Sequence, residues 1–275
     1  MKNTVATFKR AKKEGQRLSM LTAYDYSTAK IMDAAGMNGI LVGDSLGNTV
    51  LGYKDTLPVT MEDMIHHGKA VVRGVENALV VMDMPFMSFQ VSDVSALENA
   101  GRLIKETQAA AVKLEGGIEV CTRIRAITAA GIPVMAHLGL TPQSINAFGS
   151  YKARGRTQSE AQRLINDAKS IEEAGAFALV LECVPAKLAE HITKMLKIPT
   201  IGIGAGRHCD GQILVYQDML GMYKDFTPRF VKKYANLQAT MHDAFTSFCK
   251  EVEQGDFPAT EHEFDISNET MERLY

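Results

Sequence analysis

The sequence predicts one α/β domain spanning residues 1–275: a single (β/α)8 TIM barrel of parallel strands with an added helix at each end. Three observations carry that expectation. The chain has 275 residues, close to the ~250 typical of one such barrel. About eight short runs rich in Val, Ile and Leu recur along it, continuously apolar as strands buried on both faces of a parallel sheet must be. Between them lie longer helical stretches, several closed by glycine, and alternating strand and helix with short connections means a parallel α/β fold. Strands of similar length with no topological switch favour closure over an open, doubly wound sheet.

Taken in order, the chain opens with Lys2, Lys9, Arg10, Lys12, Lys13 and Arg17, while Val5, Phe8 and Ala11 recur at helical spacing. This reads as a short amphipathic helix with a solvated basic face, in preference to an arm for a membrane or polyanion. The first strand, 18–23, leads to a helix at 26–35 that Gly36 ends, and the second strand follows at 39–42. Thr60 and Asp63 form a capping pair for a helix at 61–73 with Gly74 after its last turn. Strand 78–82, helix 94–107, strand 111–114, helix 118–130 with Gly131 behind it, and strand 133–136 continue the alternation.

Residues 141–157, containing Gly149, Tyr151, Arg154 and Gly155, form a long loop of the size used for active-site lids. Ser159 and Gln162 fit a cap for a helix at 159–174 that Gly175 ends. Strand 177–181, helix 186–196 and strands 199–203 and 212–216 complete the barrel. A final helix from Arg229 to about Glu253 carries Phe230, Tyr234, Leu237, Met241, Ala244, Phe245 and Phe248 at three- and four-residue spacing. It is expected to close the barrel or pack on a neighbouring subunit, its aromatic stripe serving as core.

Composition narrows the function. A hydrophobic content of 46% and a charged content of 23% are ordinary globular values. Thirty basic and 32 acidic residues, net charge −2, leave no basic footprint for nucleic acid, so no nucleic-acid partner is expected. No continuous apolar segment resembles a signal peptide or approaches the ~20 residues of a membrane span, which predicts a cytoplasmic protein without membrane association. Cys121, Cys183, Cys209 and Cys249 form no C-x-x-C pair and read as reduced thiols, mostly core filler. Cys183 adjoins Glu182, yet no close basic residue lowers its pKa to make it reactive.

In a parallel barrel the chemistry sits at the C-terminal strand ends, and these ends are strongly ionisable: Asp44, Asp83, Lys113 with Glu115, His137 and Glu182. Three acids converging from the second, third and fourth strands repel one another unless a cation joins them. Oxygen ligands without a His or Cys cluster favour Mg²⁺ over Zn²⁺, so Asp44, Asp83 and Glu115 are the candidate metal residues. Capping or pairing with Lys or Arg is the alternative for any one acid alone. Lys113 and Glu115, two apart on a strand, face the same way, either clamping a substrate acid group or pairing with each other. His137 either donates to a substrate oxygen or is a satisfied polar residue. Glu182 follows a long apolar run that places it in a poorly solvated spot suited to general acid or base work, on the far side of the barrel from the metal acids. The run Gly202-Ile203-Gly204-Ala205-Gly206 lacks G-x-G-x-x-G spacing, which excludes a dinucleotide fingerprint and leaves glycines that admit a ligand to backbone amides.

Several blocks in succession resemble the ketopantoate hydroxymethyltransferase family: Leu21-Thr22-Ala23-Tyr24-Asp25, Gly43-Asp44-Ser45-Leu46-Gly47, Asp83-Met84-Pro85-Phe86, Lys113-Leu114-Glu115-Gly116-Gly117, His137-Leu138-Gly139-Leu140-Thr141-Pro142-Gln143-Ser144 and Leu181-Glu182-Cys183-Val184-Pro185. With Ile201 to Gly206 and Asp210 to Val215, they cover most of residues 20–220. The resemblance implies transfer of a one-carbon unit from the co-substrate 5,10-methylenetetrahydrofolate to 3-methyl-2-oxobutanoate, giving 2-dehydropantoate in pantothenate synthesis. It implies Mg²⁺ held by Asp44 and Asp83, with Glu115 completing the site through water, and a Mg²⁺-stabilised enolate. It implies further that Ser45 and Lys113 bind the oxoacid, that Glu182 is the proton acceptor and that the chain forms a homo-oligomer, a decamer. Ser150 stands where the family commonly has a second glycine. The rival reading is another Mg²⁺-dependent 2-oxoacid enzyme of the isocitrate lyase or phosphoenolpyruvate mutase type, although no Lys-Lys-Cys-Gly-His loop of the lyase kind is present.

Overall fold

A computed structural model of the chain describes residues 2–149, 152–222 and 228–274; Ser150 and Tyr151 lie outside the described residues. Eight parallel strands close into a barrel in sequence order: β1 (Leu18–Thr22), β2 (Gly39–Val42), β3 (Leu79–Asp83), β4 (Ala111–Glu115), β5 (Val134–Gly139), β6 (Ala178–Glu182), β7 (Thr200–Ile203) and β8 (Gly211–Leu214). The register Leu18↔Gly211 to Leu21↔Leu214 between β1 and β8 closes the ring.

Side chains alternate between two cores, because successive strand residues point to opposite faces. Leu18, Met20, Leu41, Leu79, Val81, Ala111, Met135, Val180, Ile201 and Ile213 fill the barrel. Ile40, Val42, Val80, Met82, Val112, Leu114, Ala136, Leu138, Leu179 and Leu181 face the helices. Helix α1 (Val5–Glu14), capped by Thr4 and ended by Gly15 in a left-handed conformation, closes the N-terminal end. Its Phe8 is fully buried and meets Phe177 edge-on at 6.1 Å. The basic opening is thus an amphipathic helix whose apolar side plugs the barrel.

Around the outside run α2 (Tyr26–Ala34), the short α3 (Leu46–Thr49), α4 (Met61–Gly74), α5 (Asp93–Thr107), α6 (Cys121–Ala129), the short α7 (Ile145–Phe148), α8 (Gln158–Glu173) and α9 (Ala186–Met195). The Thr60–Asp63 capping box forms as expected. Two punctuation marks differ from expectation. Helix α8 is capped by Thr157, whose box partner is Glu160, and not by Ser159; an acid at the third helical position outweighs the amide two residues later. Gly74 does not cap α4 but is its last residue, where a Cβ would stand 2.6 Å from the Tyr26 carbonyl, so close packing of α4 on α2 is what requires glycine there.

The C-terminal expectation is corrected more strongly. After α10 (Tyr216–Leu220), the last long helix, α11, spans only Leu237–Gln254 and buries none of its residues. Phe245 and Phe248 are 61% and 53% exposed. Within this chain the helix does not close the barrel and its stripe is not core. Phe230 lies in a turn before it. Helix α12 (Asn268–Glu272) follows. Among the described residues, no helix is long and apolar enough to cross a membrane.

Candidate active site

The parity of the strands places the ionisable groups. Asp83 is inward in phase with Leu79 and Val81, Lys113 and Glu115 with Ala111, His137 with Met135, and Glu182 with Ala178 and Val180. Each is the polar end of an apolar barrel column. Asp44 and Ser45 follow β2 by two and three residues, on the turn that starts α3. Asp44, Ser45, Asp83, Lys113, Glu115, His137 and Glu182 line one cavity of about 170 Å³ at the strand ends. All seven residues singled out from the sequence therefore meet.

Asp44, Asp83, Lys113, Glu115 and His137 are each no more than 6% exposed. Lys113 Nζ donates to both carboxylate oxygens of Asp83 at 2.8 Å and stands 3.7 Å from Glu115 Oε1. Both alternatives for Lys113 thus have a geometric basis, but its main partner is Asp83. Burial lowers the lysine's pKa, yet Asp83, Glu115 and Asp44 outweigh it and hold the ammonium above its ordinary value. Burial raises Asp83 despite Lys113. Burial also works to raise Glu115, but His137 and Lys113 more than offset it and its pKa falls.

Asp44 differs. Burial, then Asp83, then Glu115 hold it well above the usual carboxylate range, against Lys113 and a hydrogen bond from Gln143. Among the described residues no cationic side chain pairs with it, whereas Lys113 and His137 serve the other acids.

His137 joins the acids to the general-base candidate. Its Nδ1 is 3.2 Å from Glu115 Oε1 and its Nε2 3.4 Å from Glu182 Oε2. Both nitrogens are off the hydrogen-bond direction, so these are charge contacts more than aligned hydrogen bonds. Burial and Lys113 disfavour the imidazolium, but the two glutamates win and raise the pKa to about 9. Glu182 is consequently not isolated across the barrel from the acids, as the sequence suggested; it is one imidazole away from Glu115. Its side chain is 17% exposed. The next residue, Cys183, takes a left-handed backbone at φ 51°. Burial and Glu182 push its thiol up to about 11, in accord with an unreactive cysteine.

Three participants were not identified from the sequence. Tyr24, fully buried and raised to about 12 by that burial, shares a 2.8 Å hydrogen bond with Ser45 Oγ. Gln143 donates through Nε2 to Asp44 Oδ2 at 3.0 Å and through its backbone N–H to Glu115 Oε2 at 3.1 Å. Phe230 forms an apolar wall of the cavity with Ile203, Ile213 and Val215, packing where a Cβ on Gly204 would stand 2.7 Å from its ring. Tyr24 and Gln143 sit inside quoted motifs, but nothing in their spacing reveals a partner twenty or a hundred residues away. A second cavity of about 440 Å³ adjoins the first, sharing Glu115 and lined also by Gln90, Gln143, Arg163 and Asp167.

The donor chemistry fits a hard divalent cation: carboxylate oxygens, a surplus of buried negative charge and an acid without its own counter-ion. Among the described residues no three acidic, imidazole or thiol groups form a ready-made cage. A hard divalent cation needs no such cage where one or two carboxylates act together with water and substrate oxygens.

The sequence profile described as ketopantoate hydroxymethyltransferase matches residues 2–260. The proteins called 3-methyl-2-oxobutanoate hydroxymethyltransferase from Enterococcus faecalis (strain ATCC 700802 / V583) and Clostridium novyi (strain NT) are each 66% identical over 275 residues, covering 100% of both chains. Among solved structures, phosphonopyruvate hydrolase in complex with oxalate and Mg++ superposes with a TM-score of 0.61 at 17% identity, covering 99% of this chain and 95% of that one. 2,3-Dimethylmalate lyase, described as a PEP mutase/isocitrate lyase superfamily member, does so with a TM-score of 0.60 at 16% identity, covering 100% and 95%. These two likenesses are of fold. The profile and the full-length relatives establish that this chain belongs to the ketopantoate hydroxymethyltransferase family.

Proposed function

We propose that the chain transfers a hydroxymethyl group from 5,10-methylenetetrahydrofolate to 3-methyl-2-oxobutanoate, yielding 2-dehydropantoate, with Mg²⁺ as its metal. The observation that carries the reading is a single small cavity whose lining combines the polar Asp44, Ser45, Asp83, Lys113, Glu115, His137, Glu182 and Asp218 with the apolar Ile203, Ile213, Val215 and Phe230. A short branched 2-oxoacid has the same combination, an anionic head and an isopropyl tail.

As the family resemblance implies, Asp44 and Asp83 would hold the ion directly and Glu115 would complete the site through water. A divalent cation, when bound, supplies positive charge at the oxoacid's oxygens, where an enolate develops. Ser45, steadied by Tyr24, and Lys113 bind the oxoacid head. Glu182 accepts the proton from C3, and His137, charged near neutral pH and facing both glutamates, fixes the carboxylate and lowers the cost of negative charge around it. One water cleaves both C–N bonds of the folate methylene, which becomes a one-carbon aldehyde as tetrahydrofolate leaves with both nitrogens protonated; the enolate carbon adds to that aldehyde, and the proton held by Glu182 returns to the new alkoxide, giving the hydroxymethyl group. A folate is drug-sized and needs a site of ~300–1,000 Å³; the adjoining cavity of about 440 Å³ meets that requirement, whereas the 170 Å³ cavity admits the oxoacid alone. The open aromatic face of α11 supports association with further copies of the chain, which the family resemblance implies.

Exchange of the C3 proton tests the first half-reaction without folate. In D₂O with Mg²⁺, NMR is expected to show loss of the C3–H signal of 3-methyl-2-oxobutanoate, abolished by Asp83→Ala through lost metal-dependent binding. Glu182→Gln is expected to leave substrate binding intact and slow exchange ~10²–10⁴-fold. Unchanged exchange in Glu182→Gln removes the glutamate from its role.

A further inference from the structure

We infer that Gln143 is a positioning residue that sets the orientation of the two metal-side carboxylates, Asp44 and Glu115; this rests on the metal reading above. The residue stands in the turn of 3₁₀ helix Pro142–Ser144 directly after β5 and is 4% exposed. Every polar group of its side chain, together with its backbone N–H, is engaged. Nε2 donates to Asp44 Oδ2 at 3.0 Å and to the Met84 carbonyl at 2.9 Å, using both amide hydrogens. Oε1 accepts from Gln90 Nε2 at 3.2 Å, and the backbone N–H donates to Glu115 Oε2 at 3.1 Å. With acceptors on one side and a donor on the other, only one orientation of the amide satisfies the network.

One residue therefore spans the ends of three strands: Asp44 beyond β2, Met84 beyond β3 and Glu115 on β4. The chemistry of the amide matters as much as its reach. A lysine or arginine here would cancel charge that a cation needs, and an acid would add to a cluster already short of positive charge. A neutral donor fixes Asp44 Oδ2 and leaves Oδ1 to a metal ion, with no change in net charge. Outer hydrogen bonds of this kind orient ligating carboxylates, and losing them typically costs 10–100-fold in metal affinity. Gln143 reaches the oxoacid's residues only through Asp44 and Glu115, and although it also lines the cavity proposed for folate, its effect on the ion is read apart from that when both substrates are left out.

Mn²⁺ titration of the oxoacid-free protein, read by electron paramagnetic resonance, tests this without reference to turnover. Gln143→Met keeps the volume and removes the side-chain bonds; Gln143→Asn keeps an amide too short to reach Asp44. Either variant, folded by circular dichroism, is expected to bind Mn²⁺ ~10–100-fold more weakly than the parent, with a changed fine structure of the bound signal. Parent and variants of equal affinity overturn the role of Gln143 and leave the metal reading standing. A parent that binds no Mn²⁺ overturns both.

Discussion

Replacing Lys113 with Met removes an ammonium that donates to both oxygens of Asp83 at 2.8 Å in a site where the two side chains are 5% and 2% exposed. Asp83 is left with one long bond from the Asp44 backbone N–H, at 3.3 Å. Deleting one partner of a buried pair costs ~3–5 kcal/mol, a Tm lowered by roughly 6–20 °C in a chain of this size. The loss depends on pH. Burial already raises the folded-state pKa of Asp83, and without Lys113 the largest opposing influence disappears. A carboxyl whose folded pKa lies above its unfolded value of about 3.9 is tolerated in its neutral form at low pH and costs stability as pH rises through the folded value. The gap between parent and variant should therefore widen from pH 4 to pH 8. Urea melts followed by far-UV circular dichroism suit a chain without tryptophan, run with chelator so that no ion substitutes for the lysine. A gap below ~1 kcal/mol at pH 8, or one that does not change with pH, refutes this account of how the acids are held.

Other predictions reach different parts of the molecule. Asp33 accepts from the backbone N–H groups of Glu76, Asn77 and Ala78, and although burial opposes it, these bonds hold its pKa low. Asp33→Ala should cost ~1–3 kcal/mol at neutral pH; because a depressed folded pKa stabilises only above the unfolded value, the difference should fade as urea melts are taken down through pH 4 toward 3. Gly139 has φ 99°, and a Cβ there would lie 2.1 Å from the Glu182 carbonyl oxygen, whereas Gly131, at φ 84°, has open space. Alanine at either position costs ~1–3 kcal/mol of strain, but only Gly139→Ala should also slow C3 proton exchange, by displacing Glu182. Phe230→Ala enlarges the apolar part of the cavity, so the ratio of kcat/KM for a 2-oxoacid longer by one or two carbons over 3-methyl-2-oxobutanoate should rise by about 10-fold or more.

The barrel was legible because parallel strands advertise themselves as unbroken apolar runs and the helices between them carry their own stops at Gly36, Gly131 and Gly175. The site was legible for a related reason: Asp83, Lys113, Glu115, His137 and Glu182 interrupt those runs at the strand ends, where a charge has no cause to be unless the site uses it. What local pattern could not convey was connectivity through space. The bridge from Glu115 through His137 to Glu182 depends on barrel register. Gln143 acts on an acid 99 residues earlier. The aromatic stripe of α11 has the periodicity of a buried face, and periodicity does not distinguish a surface covered within the chain from one left open by it.

The central claim is that two adjoining cavities bring a metal-dependent enolate to a folate one-carbon donor. Purified protein with 3-methyl-2-oxobutanoate and 5,10-methylenetetrahydrofolate, followed by mass spectrometry, tests it directly. The account predicts 2-dehydropantoate and tetrahydrofolate in equal amounts, lost with chelator and restored by added Mg²⁺. Cleavage of a C–C or P–C bond in place of that product, or product formation indifferent to chelator, contradicts it.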